Sequence, residues 1–260
     1  MQAIRQIFQD HWEEYQKLHA DILREVEVQE VDRMLHCKDI SRGFTTYRCM
    51  ECNEIKPIGF TCKSRMCTSC GKKHADLWAE KLAGDIYWLP HKHVVLTIPQ
   101  QLRVYFVRDR KLLKVLMDAA ARLIKNFVYS RWKNSKVKPG AICVLHTFGS
   151  DIKVNPHIHV MATEGGIDEN GKWHGLRFFA NQKLTKMWQY ELLTSMRRAV
   201  QTSEMAELVD YLFRRYPKGF YVRPKKSGIS ATRTTRYIAR YVRHPPMTDS
   251  RIKHYDGEMV

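Results

Sequence analysis

Six of the seven cysteines in this 260-residue chain lie between Cys37 and Cys70. Four of them form two C-x-x-C pairs, Cys49/Cys52 and Cys67/Cys70, with 14 residues between the pairs. A tight turn carrying two thiolates three residues apart presents both sulfurs to one ion, and two such knuckles complete a tetrahedral zinc site. The remaining two, Cys37 and Cys62, leave two readings open. They build a second zinc site with His36 or His74, or they are buried thiols. Cys143 stands in the apolar run AICVL and is expected in the core.

The N-terminal stretch MQAIRQIFQDHWEEYQ has no apolar centre of the signal-peptide kind. A reducing, cytoplasmic setting is therefore expected, and disulfides are not. No run of about 18 apolar residues argues for a membrane span. With 44% hydrophobic residues and six Trp, the chain is also too apolar for a disordered basic tail.

Charge is distributed unevenly. The formal net charge is +17, yet residues 1–35 carry −4 and residues 211–260 carry +9. An excess of this size on a folded protein points to a polyanionic partner, nucleic acid before anionic lipid, with the basic end as the contact for a phosphate backbone.

Periodicity orders the elements. Apolar positions recur at three and four over 2–18 and 21–35, which predicts two helices. A helix follows the cysteines until Pro90. Residues 93–98 (HVVLTI) read as a buried strand stopped by Pro99. A long amphipathic helix is expected over 109–132, and strands over 141–148 and 157–163. A third strand of that meander is expected at 173–179, helices at 181–200 and 203–215, a strand at 219–223 and a last helix at 231–243. Strands and helices mix without regular alternation, so the class is α+β with an antiparallel sheet. Three regions follow: a helical segment 1–35, a zinc-binding module 36–85, and a domain over 86–260.

Two constellations carry chemistry. On a strand, residues i and i+2 share a face, so His157 and His159 project two imidazoles together while Ile158 enters the core. Paired imidazoles suit a divalent metal. His146, on the preceding strand, would join them across an antiparallel hairpin. His91-Lys92-His93 repeats the spacing, but Lys92 would then have to face the core, so that pair reads as structural. The second constellation is Tyr237 and Tyr241, which share one face of a helix at i and i+4. Arg233, Arg236, Arg240 and Arg243 surround them, with Lys225 and Lys226 upstream. A phenol is a weak nucleophile at its free pKa near 10. Guanidiniums, or a metal polarising the phosphate, would let it attack phosphorus, and the phosphotyrosine bond so formed keeps the energy of the broken phosphodiester. Consistently, the sequence holds no G-x-x-x-x-G-K-[ST] phosphate loop.

Taken in order, SRMCTSCGKKH, HVVLTIP, LHTFGSDIKVNPHIHV and YIARYVRHPP with YDGE resemble the HUH-type rolling-circle insertion-sequence transposases, a two-tyrosine group with an N-terminal zinc-binding domain that is related to Helitron transposases. The resemblance covers about 36–258. It implies an HUH endonuclease core with the H-x-H pair on a central strand, and a family-specific insertion over about 165–217. It implies Mg²⁺ or Mn²⁺ held by His157 and His159, with His146 as the third ligand. It further implies catalytic roles for Tyr237 and Tyr241, and structural zinc in the cysteine cluster. Relatives of this kind run past the YDGE segment, so the chain reads as a short member or a trimmed one.

The activity so implied is cleavage and rejoining of single-stranded or hairpin DNA at element ends and at the target, through a 5′-phosphotyrosine intermediate; our own expectation is that Tyr237 acts before Tyr241 and that a monomer is favoured. Trp and Tyr side chains in the insertion could stack on unpaired bases, although Trp132 and Trp188 read as packing residues. Two other readings share some of the features: an HUH replication initiator or relaxase nicking an origin, and a non-catalytic zinc-containing DNA-binding protein.

Overall fold

A computed structural model of the chain describes residues 3–85, 89–132, 136–176, 180–224 and 247–260. These fall into two compact units. One comprises the described residues up to Trp78 together with 247–260, and the other those from Ala79 to Pro224.

The first unit opens with α1 (Ala3–Leu18) and α2 (Glu25–Leu35). Ile4, Phe8 and Trp12 recur every four residues and so share one face of α1. Phe8 and Trp12 pack against Val31 and Met34 of α2 and against Cys37, Cys67 and Cys70. A hairpin follows, β1 (Phe44–Arg48) with β2 (Ile55–Gly59), pairing Phe44 with Gly59 and Arg48 with Ile55. At Gly59 a side chain is forbidden by close approach, because a Cβ would stand 2.4 Å from the Lys38 carbonyl oxygen. That contact seats the end of the hairpin on the turn that carries Cys37, where the Lys38 amide donates to the Phe60 carbonyl at 3.0 Å. Helix α3 (Thr68–Asp85) then leaves the module. Residues 247–260 return to α1. The Ile4 amide donates to Asp249 Oδ1 at 3.0 Å, and the Tyr255 hydroxyl lies 2.8 Å from Asp10 Oδ2 and 2.9 Å from His11 Nε2.

The second unit runs β3 (His91–Leu96), α4 (Gln100–Arg108), α5 (Leu112–Tyr129), β4 (Ala141–Phe148), β5 (Val154–Thr163), β6 (Gly165–Ile167), β7 (Trp173–Gly175), α6 (Asn181–Ala199), α7 (Ser203–Arg215) and β8 (Val222–Pro224). Four strands form one antiparallel sheet in the order β4-β5-β3-β8. The class is α+β, as the mixed pattern predicts.

Several boundaries differ for physical reasons. The helix expected at 109–132 is preceded by a separate one, α4, because Pro99 fixes φ near the helical value and starts a turn at once. Strand β5 begins at Val154, three residues before His157, and includes Pro156. Among the described residues, the strand expected at 173–179 does not extend the main sheet. Its first residues form β7, which pairs with β6 in a small hairpin, and 177–179 lie outside the described residues. The helix expected at 231–243 also lies outside them.

Helices cover one face of the sheet. Val94, Leu96, Ile158, Val160 and Ala162 point into a core with Leu116, Ala120, Leu123 and Ile124 of α5 and with Leu184, Trp188 and Leu192 of α6. Trp188 is fully buried, and its indole N–H donates to the Thr97 carbonyl at 2.7 Å, tying α6 to the end of β3. Cys143 packs against the same core, and burial pushes its thiol up to about 11.

Candidate metal centres

The first centre is built where three segments converge. Cys37 follows the last turn of α2, Cys62 lies on the loop leaving β2, and Cys67 and Cys70 flank the first turn of α3. Their four sulfurs all lie within 4.8 Å of one another. Sγ–Sγ separations are 3.6 Å for Cys37–Cys70, 3.6 Å for Cys62–Cys70 and 3.8 Å for Cys37–Cys67. These are far longer than a disulfide, and all seven cysteines are free. A tetrahedron with Zn–S bonds near 2.3 Å has S–S edges of about 3.8 Å, so the donor set fits zinc in both chemistry and size.

Thiols gathered this closely cannot all ionise without a cation. Burial pushes Cys37 and Cys62 up, while at Cys67 the Ser69 hydroxyl and the Cys70 amide overcome burial and pull the thiol down to about 7.

This corrects the spacing argument. Cys67 and Cys70 are joined by Cys37 and Cys62, not by Cys49 and Cys52. The latter two sit at the exposed tip of the β1–β2 hairpin, where the Cys49 amide donates to the Glu54 carbonyl at 2.9 Å and Asn53 takes a positive φ of 60°. Amides of Cys52 and Glu51 lower the Cys49 thiol, but neither cysteine belongs to a group of three or more metal donors among the described residues. A second site on Cys37 and Cys62 is likewise replaced, since both serve the first. His36 instead contacts Asp32 Oδ1 at 3.1 Å and Arg42 at 3.2 Å, and His74 lies along α3. Spacing counts the knuckles but cannot say which of them another element reaches.

The second centre lies on the sheet face opposite the helices. The β4–β5 register sets His146 across from His157 and Val144 across from His159. Alternation then places His146, His157 and His159 on one face, with Leu145, Ile158 and Val160 on the other. His157 Nε2 stands 3.1 Å from His146 Nδ1 and 3.1 Å from His159 Nε2. Metal–nitrogen bonds of about 2.1 Å at right angles give edges of about 3.0 Å, so the two edges at His157 suit octahedral coordination of one ion. His157 Nδ1 lies 2.7 Å from the Asn155 carbonyl, which leaves Nε2 as the coordinating atom. Burial holds His157 below the usual imidazole range, the Arg103 charge adds to this, and the Asn155 carbonyl opposes it. The neutral, metal-binding form is thereby favoured.

Two residues that the sequence argument passes over belong to this neighbourhood. Arg103 lies one turn into α4, a helix that packs on β5, and its Nε is buried with no hydrogen-bond partner. Asn155 Oδ1, two residues before His157, is also buried and unpartnered. The signal for Arg103 is Pro99, which fixes the start of α4 and hence the side chains one turn on. His93, set aside with His91 as structural, stands 3.0 Å from His159. Lys92 does face the other side of β3, as the spacing requires, but at the strand's entrance, where it pairs with Glu164 at 3.9 Å. Tyr237, Tyr241, Lys225, Lys226, Arg233, Arg236, Arg240 and Arg243 lie outside the described residues.

Residues 7–98 match a family model described as "Transposase zinc-binding domain", and residues 140–260 match the Y2_Tnp model, described as "Putative transposase". The chain is 30% identical over 246 residues to the "Transposase for insertion sequence element IS801" of Pseudomonas savastanoi pv. phaseolicola, covering 90% of this chain and 59% of that protein. It is 20% identical over 265 residues to "Putative transposase y4qJ" of Sinorhizobium fredii (strain NBRC 101917 / NGR234), covering 96% of this chain and 66% of that protein. The chain thus spans about three fifths to two thirds of the length of these relatives. No solved structure matches it.

Proposed function

We propose that this chain, which matches a transposase zinc-binding domain model and the Y2_Tnp model, belongs with the transposases that join the two and is an HUH-type single-strand DNA endonuclease and strand transferase of the rolling-circle kind. The observation that carries the reading is the cluster of His146, His157 and His159 on one sheet face, with His157 Nε2 3.1 Å from a ring nitrogen of each of the other two and all three donors within 4.8 Å of one another. Structural zinc sits on Cys37, Cys62, Cys67 and Cys70 in this reading, and the histidines hold Mg²⁺ or Mn²⁺.

A divalent ion held there supplies Lewis-acid polarisation of the scissile phosphate. The protein's own groups do the rest. The three imidazoles fix the site on rigid strands. Arg103, with a buried and unpaired Nε, holds a non-bridging oxygen of the same phosphate by a charge-assisted hydrogen bond. Tyr237 or Tyr241 attacks phosphorus. The tyrosine oxygen–phosphorus bond forms, the bond from phosphorus to the 3′ oxygen breaks, and the phenolic proton is lost as the departing oxygen gains one. The products are a 5′-phosphotyrosine and a free 3′-OH. Attack by a 3′-OH reverses the step, so rejoining needs no nucleotide cofactor. The remaining basic residues of 225–243 track the backbone of the single strand.

The test uses labelled single strands tiling the DNA on either side of the reading frame, with Mn²⁺. A covalent adduct that disappears in the Tyr237→Phe/Tyr241→Phe double variant supports the reading. Tight binding without an adduct under any metal would leave only a DNA-binding role. Cleavage confined to a replication origin would assign the same chemistry to an initiator.

A further inference from the structure

We propose that His93 is a positioning residue for the three-imidazole centre, a buried fourth imidazole that holds His159 by its Nδ1 and so dictates that His159 coordinates through Nε2. The inference rests on the metal-site reading above and extends it beyond the ligands.

His93 Nε2 lies 3.0 Å from His159 Nδ1. The rings are nearly parallel, with centroids 5.2 Å apart and planes 18° apart. Both residues are buried, at 5% and 4% exposure. The register explains the contact. Val95 lies across from His159 and Met161 across from His93, so the two histidines are diagonal neighbours on one face of the β3–β5 pair.

The chemistry follows from proton counting. A neutral imidazole carries one N–H. His159 turns Nε2 toward His157 at 3.1 Å, so a metal shared by those nitrogens takes the Nε2 lone pair. The His159 proton must then sit on Nδ1 and donate to His93 Nε2, and His93 carries its own proton on Nδ1. His157 is held in the same way, with the Asn155 carbonyl as acceptor at 2.7 Å. His157 and His159 thus each have an orienting partner built into the sheet, one a backbone carbonyl and the other an imidazole. Such outer partners fix ring orientation and tautomer and raise ligand basicity, and losing one typically weakens metal binding about 10–100-fold.

A packing role alone predicts something different. A His93 that only fills space would tolerate an apolar residue of similar size, with any loss appearing in stability and none in metal affinity.

The experiment measures Mn²⁺ affinity by calorimetry on the zinc-loaded full chain. His93→Leu keeps bulk but removes the acceptor, and His93→Gln keeps an acceptor near the Nε2 position. The expected result is about 10–100-fold weaker Mn²⁺ binding for the Leu variant and recovery to within about threefold for Gln. Equal affinity in wild type and His93→Leu overturns the proposal while leaving the metal site standing. No Mn²⁺ binding that depends on His157 overturns the site reading and this one with it. Should the Leu variant fail to fold, ¹⁵N shifts of wild-type His159 in the Mg²⁺-loaded protein decide. A proton on Nδ1 supports the proposal, and a proton on Nε2 refutes it.

Discussion

His146 Nδ1 stands 3.1 Å from His157 Nε2 across the β4–β5 ladder, at a directly opposed pair of the register. Two strands of one hairpin therefore deliver three imidazoles to a point, and a break in register follows immediately, between His146 and Phe148. Removing either ligand should cost more Mn²⁺ affinity than the roughly 10–100-fold loss of an outer partner. His146→Ala and His157→Ala should each abolish adduct formation at millimolar Mn²⁺ while the far-ultraviolet circular dichroism stays unchanged. Calorimetry and the labelled-strand assay read both effects.

Arg103 should act on phosphate and not on metal. A hydrogen bond between a guanidinium and a phosphate oxygen is worth roughly 1.5–3 kcal/mol, or about 10–150-fold in rate. Arg103→Ala should slow cleavage within that range, and Arg103→Lys should recover part of it as a point charge. Mn²⁺ affinity should not fall. A methylphosphonate at the scissile position, which removes the oxygen charge, should make the wild type and Arg103→Ala nearly equal.

Zinc content should separate the two C-x-x-C pairs. Cys37→Ser and Cys62→Ser should lose the zinc of the four-thiol centre and unfold the module, since a site absent from the unfolded chain couples binding to folding. Cys49→Ser and Cys52→Ser should leave that zinc in place. Elemental analysis of purified variants, with thermal unfolding, distinguishes the four.

Trp188→Ala should destabilise the second unit by about 3–5 kcal/mol, through the cavity and the lost indole bond to Thr97. Against a typical total of roughly 5–15 kcal/mol, that should move the urea midpoint of this unit well below that of the wild type.

The histidine triad is legible because strand alternation and hairpin register are local rules, and His146, His157 and His159 lie within 14 residues of chain. Helices α1, α2, α6 and α7 are legible for the same reason, each from its own periodicity. What the sequence hides is non-local. Cys37 and Cys62 carry no motif of their own, and only the docking of α2 and of the loop after β2 against α3 brings them to Cys67 and Cys70. His93 is obscured by Lys92, whose charge argues against a core-facing neighbour until the strand's entrance is seen to offer Glu164 as a partner. Arg103 escapes notice because Pro99 marks where α4 starts but not what that helix packs on, and the meaning of Arg103 depends on α4 lying against β5.

The most direct test of the central claim is to digest the Mn²⁺-dependent protein–DNA adduct and map the nucleotide-bearing peptide by mass spectrometry. The account predicts a 5′-phosphate ester on Tyr237 or Tyr241, absent when His157 is replaced by Ala. A strand cut with no linked peptide, or a link to any other residue, would contradict it.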